Sequence, residues 1–281
     1  MSFVHSSNYS SNFGKQWSIF SKTQLDSHSK IPISEKRFFN ATDWNKNEIR
    51  NKLTLDVGCG AGRFAEVALK EGANLIAIDY SNAVKSAYKN LSSFPNFSVI
   101  QADIYNLPFK NEIFDYVYSL GVLQHTPNVQ KAFNCLPIMV KPGGKLCVDY
   151  YWKRFLTMMH AKYIVRPFTK NIEHEKLLNI IKIFLPTLIF ISNIFLKIPL
   201  IGKPLQRLLP IANYKNIHPF STKQNFEWSL LDTFDMLSPV YDNPQKASDV
   251  KKWFQDHNFI NIQCLHAGHL VARGEKPKNK V

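Results

Sequence analysis

The sequence predicts an α/β fold, a parallel sheet covered by helices on both faces and closed by an antiparallel last strand. Three observations carry that expectation. From Leu53 to Tyr151, short apolar runs alternate with segments of helical periodicity, the pattern of strand–helix units joined by short connections. The first of these runs ends at Gly58, and Gly60 and Gly62 follow at the opening of the next helix. Near the C-terminus two further runs, 260–265 and 269–273, flank Ala267-Gly268 as a hairpin.

Taken in order, residues 1–50 are polar and aromatic, with Trp17, Phe20, Phe38, Phe39 and Trp44. They read as one or two helices forming a cap segment on a larger body. Residues 53–57 are a buried strand. A helix over 61–71 turns Phe64, Val67 and Ala68 to one face and stops at Gly72. Residues 75–78 are the second strand. Ser81 reads as the N-cap of a helix carrying Ala83, Val84, Ala87, Tyr88 and Leu91 inward. Residues 97–100, 114–120 and 145–151 are further strands. A helix over 129–140 contains Pro137, which should kink it or end it early, and Pro142-Gly143-Gly144 reads as a turn. Residues 247–258 place Val250, Trp253, Phe254 and His257 on one face of an amphipathic helix. With the hairpin this makes seven strands, in a sheet domain of residues 51–151 and 246–275.

Residues 152–245 break the alternation and read as a helical insertion, a lid for an acceptor molecule. The chain carries a formal net charge of +14. Between Tyr151 and Lys223 twelve basic residues face two acidic ones, so most of the excess is concentrated there. Residues 177–201 are rich in Ile, Leu and Phe but interrupted by Lys182, Pro186, Asn193, Lys197 and Pro199. The longest uncharged run, 183–196, is shorter than the ~20 residues of a spanning helix. The stretch is therefore expected to be a packed helical region and not a transmembrane segment. The rival reading is peripheral contact with a membrane surface through 177–210, where Lys182, Lys197, Lys203 and Arg207 meet anionic headgroups.

The first twenty residues hold no apolar signal core, which places the chain in the cytoplasm, peripheral at the inner membrane face under that rival reading. Cys59, Cys135, Cys147 and Cys264 show no CxxC spacing and no close histidine partner, so they read as reduced thiols, with no metal site.

The chemistry is concentrated in Asp56-Val-Gly-Cys-Gly-Ala-Gly62. A glycine-rich turn between a strand and a helix lets backbone approach a ligand closely and aims helix N–H groups at it. A dinucleotide fingerprint would put its third glycine at position 63, which is Arg63. The segment instead resembles the first motif of the class I S-adenosylmethionine-dependent methyltransferases, an acidic residue followed by three alternating glycines. The likeness continues in register through Asp79, Gln101-Ala102-Asp103-Ile104, Leu107-Pro108-Phe109, Phe114-Asp115-Tyr116-Val117, Leu120-Gly-Val-Leu-Gln124-His125 and Lys141-Pro-Gly-Gly144. Together these resemble the methyltransferase type 11 group, which includes ubiquinone and menaquinone biosynthesis enzymes.

That resemblance implies a Rossmann-like, seven-stranded class I sheet with S-adenosylmethionine as cofactor and S-adenosylhomocysteine as product. It assigns cofactor binding to Asp56, Gly58, Cys59, Gly60, Gly62, Asp79, Tyr80, Ala102, Asp103, Ile104, Leu120 and Gln124, with the ribose on Asp79 and the adenine beside Asp103. Asp103 reads equally as a cap for the turn after it. Three flanking segments, 13–17, 23–27 and 231–241, resemble bacterial methyltransferases linked to surface-glycan or natural-product gene clusters.

His125, at the end of the fourth strand, is the leading catalytic candidate, as a general base for a substrate hydroxyl; the plainer reading is that it shapes the pocket wall. Tyr151 and Tyr241 are further catalytic candidates, and Tyr150, His160 and His269 are polar aromatics that either face the pocket or pack. The expected function is methyl transfer to a small-molecule acceptor of glycan, lipid-linked or natural-product type. The alternatives are an RNA methyltransferase, suggested by the basic balance, and a cofactor-binding protein without catalysis. Against RNA stand the absence of a [DNS]-PP-[YF] motif after the fourth strand and of any recognisable nucleic-acid module.

Overall fold

The computed structural model describes residues 2–3 and 11–278. The chain divides into two compact units, Met1–Trp152 with Tyr241–Val281, and Lys153–Val240.

The first unit is built on one sheet. Its strands are β1 (Ser2–Phe3), β2 (Leu53–Val57), β3 (Asn74–Asp79), β4 (Phe97–Ala102), β5 (Phe114–Ser119), β6 (Val140–Tyr150), β7 (Ile260–Ala267) and β8 (His269–Glu275), in the order β1-β4-β3-β2-β5-β6-β8-β7. All seven expected strands are present, and the two-residue β1 adds an eighth at the edge, parallel to β4. The central five pair in parallel, while β8 runs antiparallel to both β6 and β7.

Side chains alternate across the sheet with a period of two. On one face Leu55, Val117, Leu146 and Val148 join Phe133 of α7 (Val129–Asn134) and Trp253 and Phe254 of α13 (Ala247–Asp256). On the other, Tyr116, Tyr118 and Cys147 join Phe38 of α3 (Ile33–Thr42) and Phe64 and Val67 of α5 (Arg63–Lys70). Burial on both faces explains why the central strands read as continuous apolar runs.

Three local expectations are corrected. The segment expected to form one or two helices forms four: α1 (Ser11–Ile19), α2 (Asp26–Ser29), α3 and α4 (Lys46–Ile49). Left-handed residues at Lys30 and Asp43 end α2 and α3, and the Asp26 carboxylate accepts from the Ser34 and Glu35 N–H groups at 2.9 and 2.8 Å to start α3. Ser81 does not cap a helix directly. α6 begins at Val84 and ends at Leu91, and the Ser81 hydroxyl donates to Asp79 Oδ1 at 2.6 Å. Pro142-Gly143-Gly144 is not a separate turn before β6 but lies within it, where the pairing with β5 shifts register between Phe114 and Tyr116. The expected early ending at Pro137 is present: α7 stops at Asn134, and Pro137 opens a short 3₁₀ turn, Pro137–Met139.

The second unit is helical: α8 (Phe155–Met158), α9 (Lys162–Thr169), α10 (His174–Phe195), α11 (Gly202–Gln206) and α12 (Thr222–Leu237). A capping box joins Ser221 and Gln224 at the start of α12, and the Glu173 carboxylate accepts from the N–H groups of Glu175 and Lys176 at the start of α10. α10 and α12 lie against each other, with Leu177, Leu178, Ile181 and Leu185 buried on the former and Trp228, Leu231 and Phe234 on the latter.

Candidate functional site

The candidate site lies at the carboxyl ends of β2 to β6, the edge on which open α/β sheets bind ligands. The loop after β2 is pinned to β3, because the N–H groups of Gly58 and Cys59 both donate to the Ile78 carbonyl, at 2.8 and 2.9 Å. The Gly60 N–H donates to Asp79 Oδ2 at 2.9 Å, and the other oxygen of Asp79 accepts from the Ser81 N–H at 2.8 Å. Loop and carboxylate thus orient each other. Gly60 is left-handed, and a Cβ there would sit 2.9 Å from the indole nitrogen of Trp17. At Gly62, φ is +96° and a Cβ would lie 2.6 Å from Leu91 Cδ1. Both positions exclude a side chain on two separate grounds.

Electrostatics mark the same place. Asp56 is buried and its Oδ2 has no hydrogen-bond partner. Burial pushes its carboxyl up to about 8; the neighbouring Tyr118 phenol opposes the rise and the charge of Asp79 adds to it. Burial also raises Asp79, against the hydrogen bonds from Ser81 and Gly60. A buried acid beside a half-buried one would be relieved by a ligand carrying positive charge and hydroxyl donors. The Cys59 thiol is held far above its ordinary value by burial, so it is no thiolate at neutral pH.

The remaining expected cofactor residues are arranged around the loop. Tyr80 follows Asp79, and its carbonyl accepts from Gln101 Nε2 at 3.0 Å. Ala102 and Ile104 are buried in the core. Between them the Asp103 carboxylate accepts from the Tyr105 N–H at 2.9 Å, so it caps its turn. Leu120 is buried against the α3 and α5 face. Gln124 is buried with Oε1 unpartnered.

His125 ends the short turn Leu123–His125. Its Nδ1 lies 2.9 Å from the Tyr241 carbonyl oxygen, and its Nε2 is buried without a partner. A carbonyl only accepts, so Nδ1 carries the proton and Nε2 presents a lone pair. Phe13 of α1 lies 5.2 Å from the imidazole and Tyr151 lies 5.6 Å from it, edge-on. Tyr151 in turn meets His269 at 5.7 Å. Burial, with Arg37 next in weight, lowers His269 to about 4, so it is neutral at neutral pH. Tyr241 contributes its main-chain carbonyl to this group. Tyr150 is fully buried in the sheet core, and His160 belongs to the second unit.

Sequence reasoning expected helices within residues 1–50 but missed the contacts of α1, and it missed Arg37. α1 brings Phe13 to His125 and Trp17 to Gly60, and a Cβ on Gly14 would lie 3.5 Å from the Asn82 nitrogen. Arg37 pairs with Asp149 Oδ2 at 2.8 Å, while Asp149 Oδ1 accepts from the Gly121 N–H. That joins the ends of β5 and β6. The aromatic pair Phe13 and Trp17 was the only trace of the first in the sequence; nothing local marked the second, because its partner lies 112 residues away.

Comparison with known proteins gives a consistent placement. Residues 55–148 match a family model described as a methyltransferase domain. A ubiquinone biosynthesis O-methyltransferase of Coxiella burnetii is 30% identical over 122 residues, covering 41% of this chain and 52% of that one. A sterol 24-C-methyltransferase of Saccharomyces cerevisiae is 33% identical over 135 residues, covering 46% and 32%. The chain thus spans about half the length of the first relative and about a third of the second. The crystal structure of a putative S-adenosylmethionine-dependent methyltransferase from Methanococcus maripaludis shares the fold, with a TM-score of 0.53 at 16% identity over 99% of this chain and 98% of that one. With the sheet order, the glycine loop between β2 and α5 and the acidic end of β3, these likenesses identify the chain as carrying a class I methyltransferase domain.

Proposed function

We propose that the protein is an S-adenosylmethionine-dependent methyltransferase acting on a small-molecule acceptor, working in the cytoplasm with peripheral contact to a membrane face through 177–210. What supports the reading is one juxtaposition. A left-handed glycine loop is hydrogen-bonded to Asp79, and two buried polar atoms without partners, Asp56 Oδ2 and His125 Nε2, belong to the same edge of the sheet.

The residues fit the cofactor chemically. Asp79 would hold the ribose hydroxyls, Asp103 would lie beside the adenine, and the unpartnered Asp56 oxygen suits an ammonium group. The bound cofactor supplies a methyl carbon made electrophilic by its sulfonium. The chain supplies alignment and exclusion of water, here by Trp17 over Gly60 and Phe13 beside His125. His125, held by the Tyr241 carbonyl in the tautomer that leaves Nε2 open, takes the proton from an acceptor hydroxyl as its oxygen attacks. A hydroxyl acceptor is therefore the best match to the site. Residues 153–240 leave the first unit after β6 and rejoin it at Tyr241.

The test is turnover. Purified protein should bind S-adenosylmethionine in calorimetric titration and convert it to S-adenosylhomocysteine with hydroxyl-bearing amphiphilic acceptors. Binding without turnover across phenolic, glycan and lipid-linked acceptors would leave a cofactor-binding protein, and absence of binding would remove the reading altogether.

A further inference from the structure

α10 has two faces of opposite character. Leu177, Leu178, Ile181, Leu185 and Ser192 are buried. On the other side Lys176, Asn179, Ile183, Thr187, Phe190 and Ile194 are exposed, at spacings of three and four that put them on one stripe. Ile183 is 71% exposed and Phe190 65%. The stripe is apolar in its middle and cationic at its start. It runs on into the turn after the helix, where Leu200 is 98% exposed and Ile198 and Ile201 are also open to solvent. An apolar surface of this extent on a water-facing helix marks a contact with something else.

The charges around it name the contact. From Lys176 to Arg207 there are five cations, Lys176, Lys182, Lys197, Lys203 and Arg207, and no acidic residue. All five are exposed, and among the described residues none of them forms a salt bridge. Apolar side chains in the centre with cations beside them match an anionic bilayer, where the former enter the headgroup boundary and the latter meet phosphates.

The orientation follows from the buried face. α10 has 22 residues and is long and apolar enough by composition to cross a bilayer. Crossing would surround it with lipid on all sides, and Leu177, Leu178, Ile181, Leu185 and Ser192 are already buried in protein. Its apolar inner residues face α12, and Ser192 Oγ accepts from Gln206 Nε2 at 2.7 Å and from Asn213 Nδ2 at 2.9 Å. Stripping that face would expose paired polar groups to hydrocarbon.

We infer that α10 lies flat on an anionic lipid surface, with Ile183, Phe190, Ile194 and Leu200 inserted and Lys182, Lys197 and Lys203 on the headgroups. This deepens the membrane contact proposed above and is independent of methyl transfer. The full-length protein is floated with vesicles of phosphatidylcholine alone and with about a quarter phosphatidylglycerol, at low salt and at about 0.5 M salt. It should bind the anionic vesicles only, and less at high salt. Ile183→Ser with Phe190→Ser should lower partitioning at least tenfold. Lys182→Gln, Lys197→Gln and Lys203→Gln should each lower it about fivefold at low salt. Both sets are surface changes, and unchanged melting temperature and cofactor affinity confirm that folding and the methyltransferase site are intact. Absent binding, equal binding to neutral vesicles, or variants that bind like the wild type overturn the inference. So does an oligomer that the Phe190→Ser change dissociates, which would assign the stripe to a second copy. Retention in the membrane after alkaline carbonate extraction would replace the flat helix with a spanning one.

Discussion

The imidazole Nδ1 of His125 is 2.9 Å from the main-chain oxygen of Tyr241, a residue 116 positions further along the chain. A side-chain partner could be lost by substitution at that position, whereas a carbonyl stays whatever residue occupies 241. The tautomer of His125 is thus fixed by the path of the backbone. His125→Asn should therefore lower kcat for a hydroxyl acceptor by about 10²- to 10⁴-fold while leaving cofactor affinity unchanged. Tyr241→Phe should retain activity, since it keeps the carbonyl. Loss of cofactor binding in His125→Asn would instead assign the residue to the pocket wall.

Asp79 receives the Gly60 N–H on Oδ2 and both the N–H and the hydroxyl of Ser81 on Oδ1, which leaves a lone pair on Oδ2 for the ribose. Asp79→Ala should weaken S-adenosylmethionine binding by about 2 kcal/mol or more, read by isothermal titration. An unchanged dissociation constant would remove Asp79 from the cofactor site.

The acid in the first motif gives a pH signature. Burial raises the Asp56 carboxyl from its ordinary value to about 8. The folded chain then holds a proton that the unfolded chain releases, so this group's contribution is fully present below about pH 4 and is lost as pH rises towards about 8. Asp56→Asn should flatten the decline of stability across that window in urea unfolding. A cationic ligand favours the ionised form, so cofactor affinity should climb between pH 6 and about 8 with release of a proton. Calorimetry in two buffers of different ionisation enthalpy measures that release; a buffer-independent heat at pH 7 would contradict it.

Gly62 combines a φ of +96° with a neighbour, Leu91 Cδ1, at 2.6 Å from the site of a Cβ. Gly62→Ala should cost about 1–3 kcal/mol in urea unfolding. Adding Leu91→Ala should not restore stability, because the backbone strain persists when the clash is gone and a cavity is added. Full recovery in the double variant would mean that crowding alone demands the glycine.

The sheet was legible because its strands are buried on both faces, and in Leu53–Val57 and 75–78 only Thr54 and Asp56 interrupt the apolar run. The final hairpin was equally plain, since Gly268 takes φ +79° between two alternating runs. The break-up of 11–49 was not, because left-handed Lys30 and Asp43 carry no glycine or proline to announce them. α10 runs through Pro186 with that ring exposed; tertiary burial of Leu185 and Ile181 outweighs one missing hydrogen bond. In the site, the glycine loop and Asp79 follow from local spacing. The approach of Phe13 and Trp17, the Arg37 pair and the Tyr241 carbonyl are long-range contacts that periodicity does not encode.

The first unit closes on itself where residues 153–240 depart and return. Trp152 forms a parallel bridge with Gln245, the Gln245 N–H donates to the Tyr151 carbonyl, and the Asn243 N–H donates to the Gln124 carbonyl. The two ends of the excursion are therefore tied side by side whatever lies between them, and the entropy of closing a longer or shorter loop changes only slowly with its length. A sequence arranged this way can exchange residues 153–240 as a cassette while the sheet unit stays untouched. The exchange carries one condition: the returning segment must keep its register, because a shift of one residue at 241 would take away the oxygen that decides which nitrogen of His125 is free.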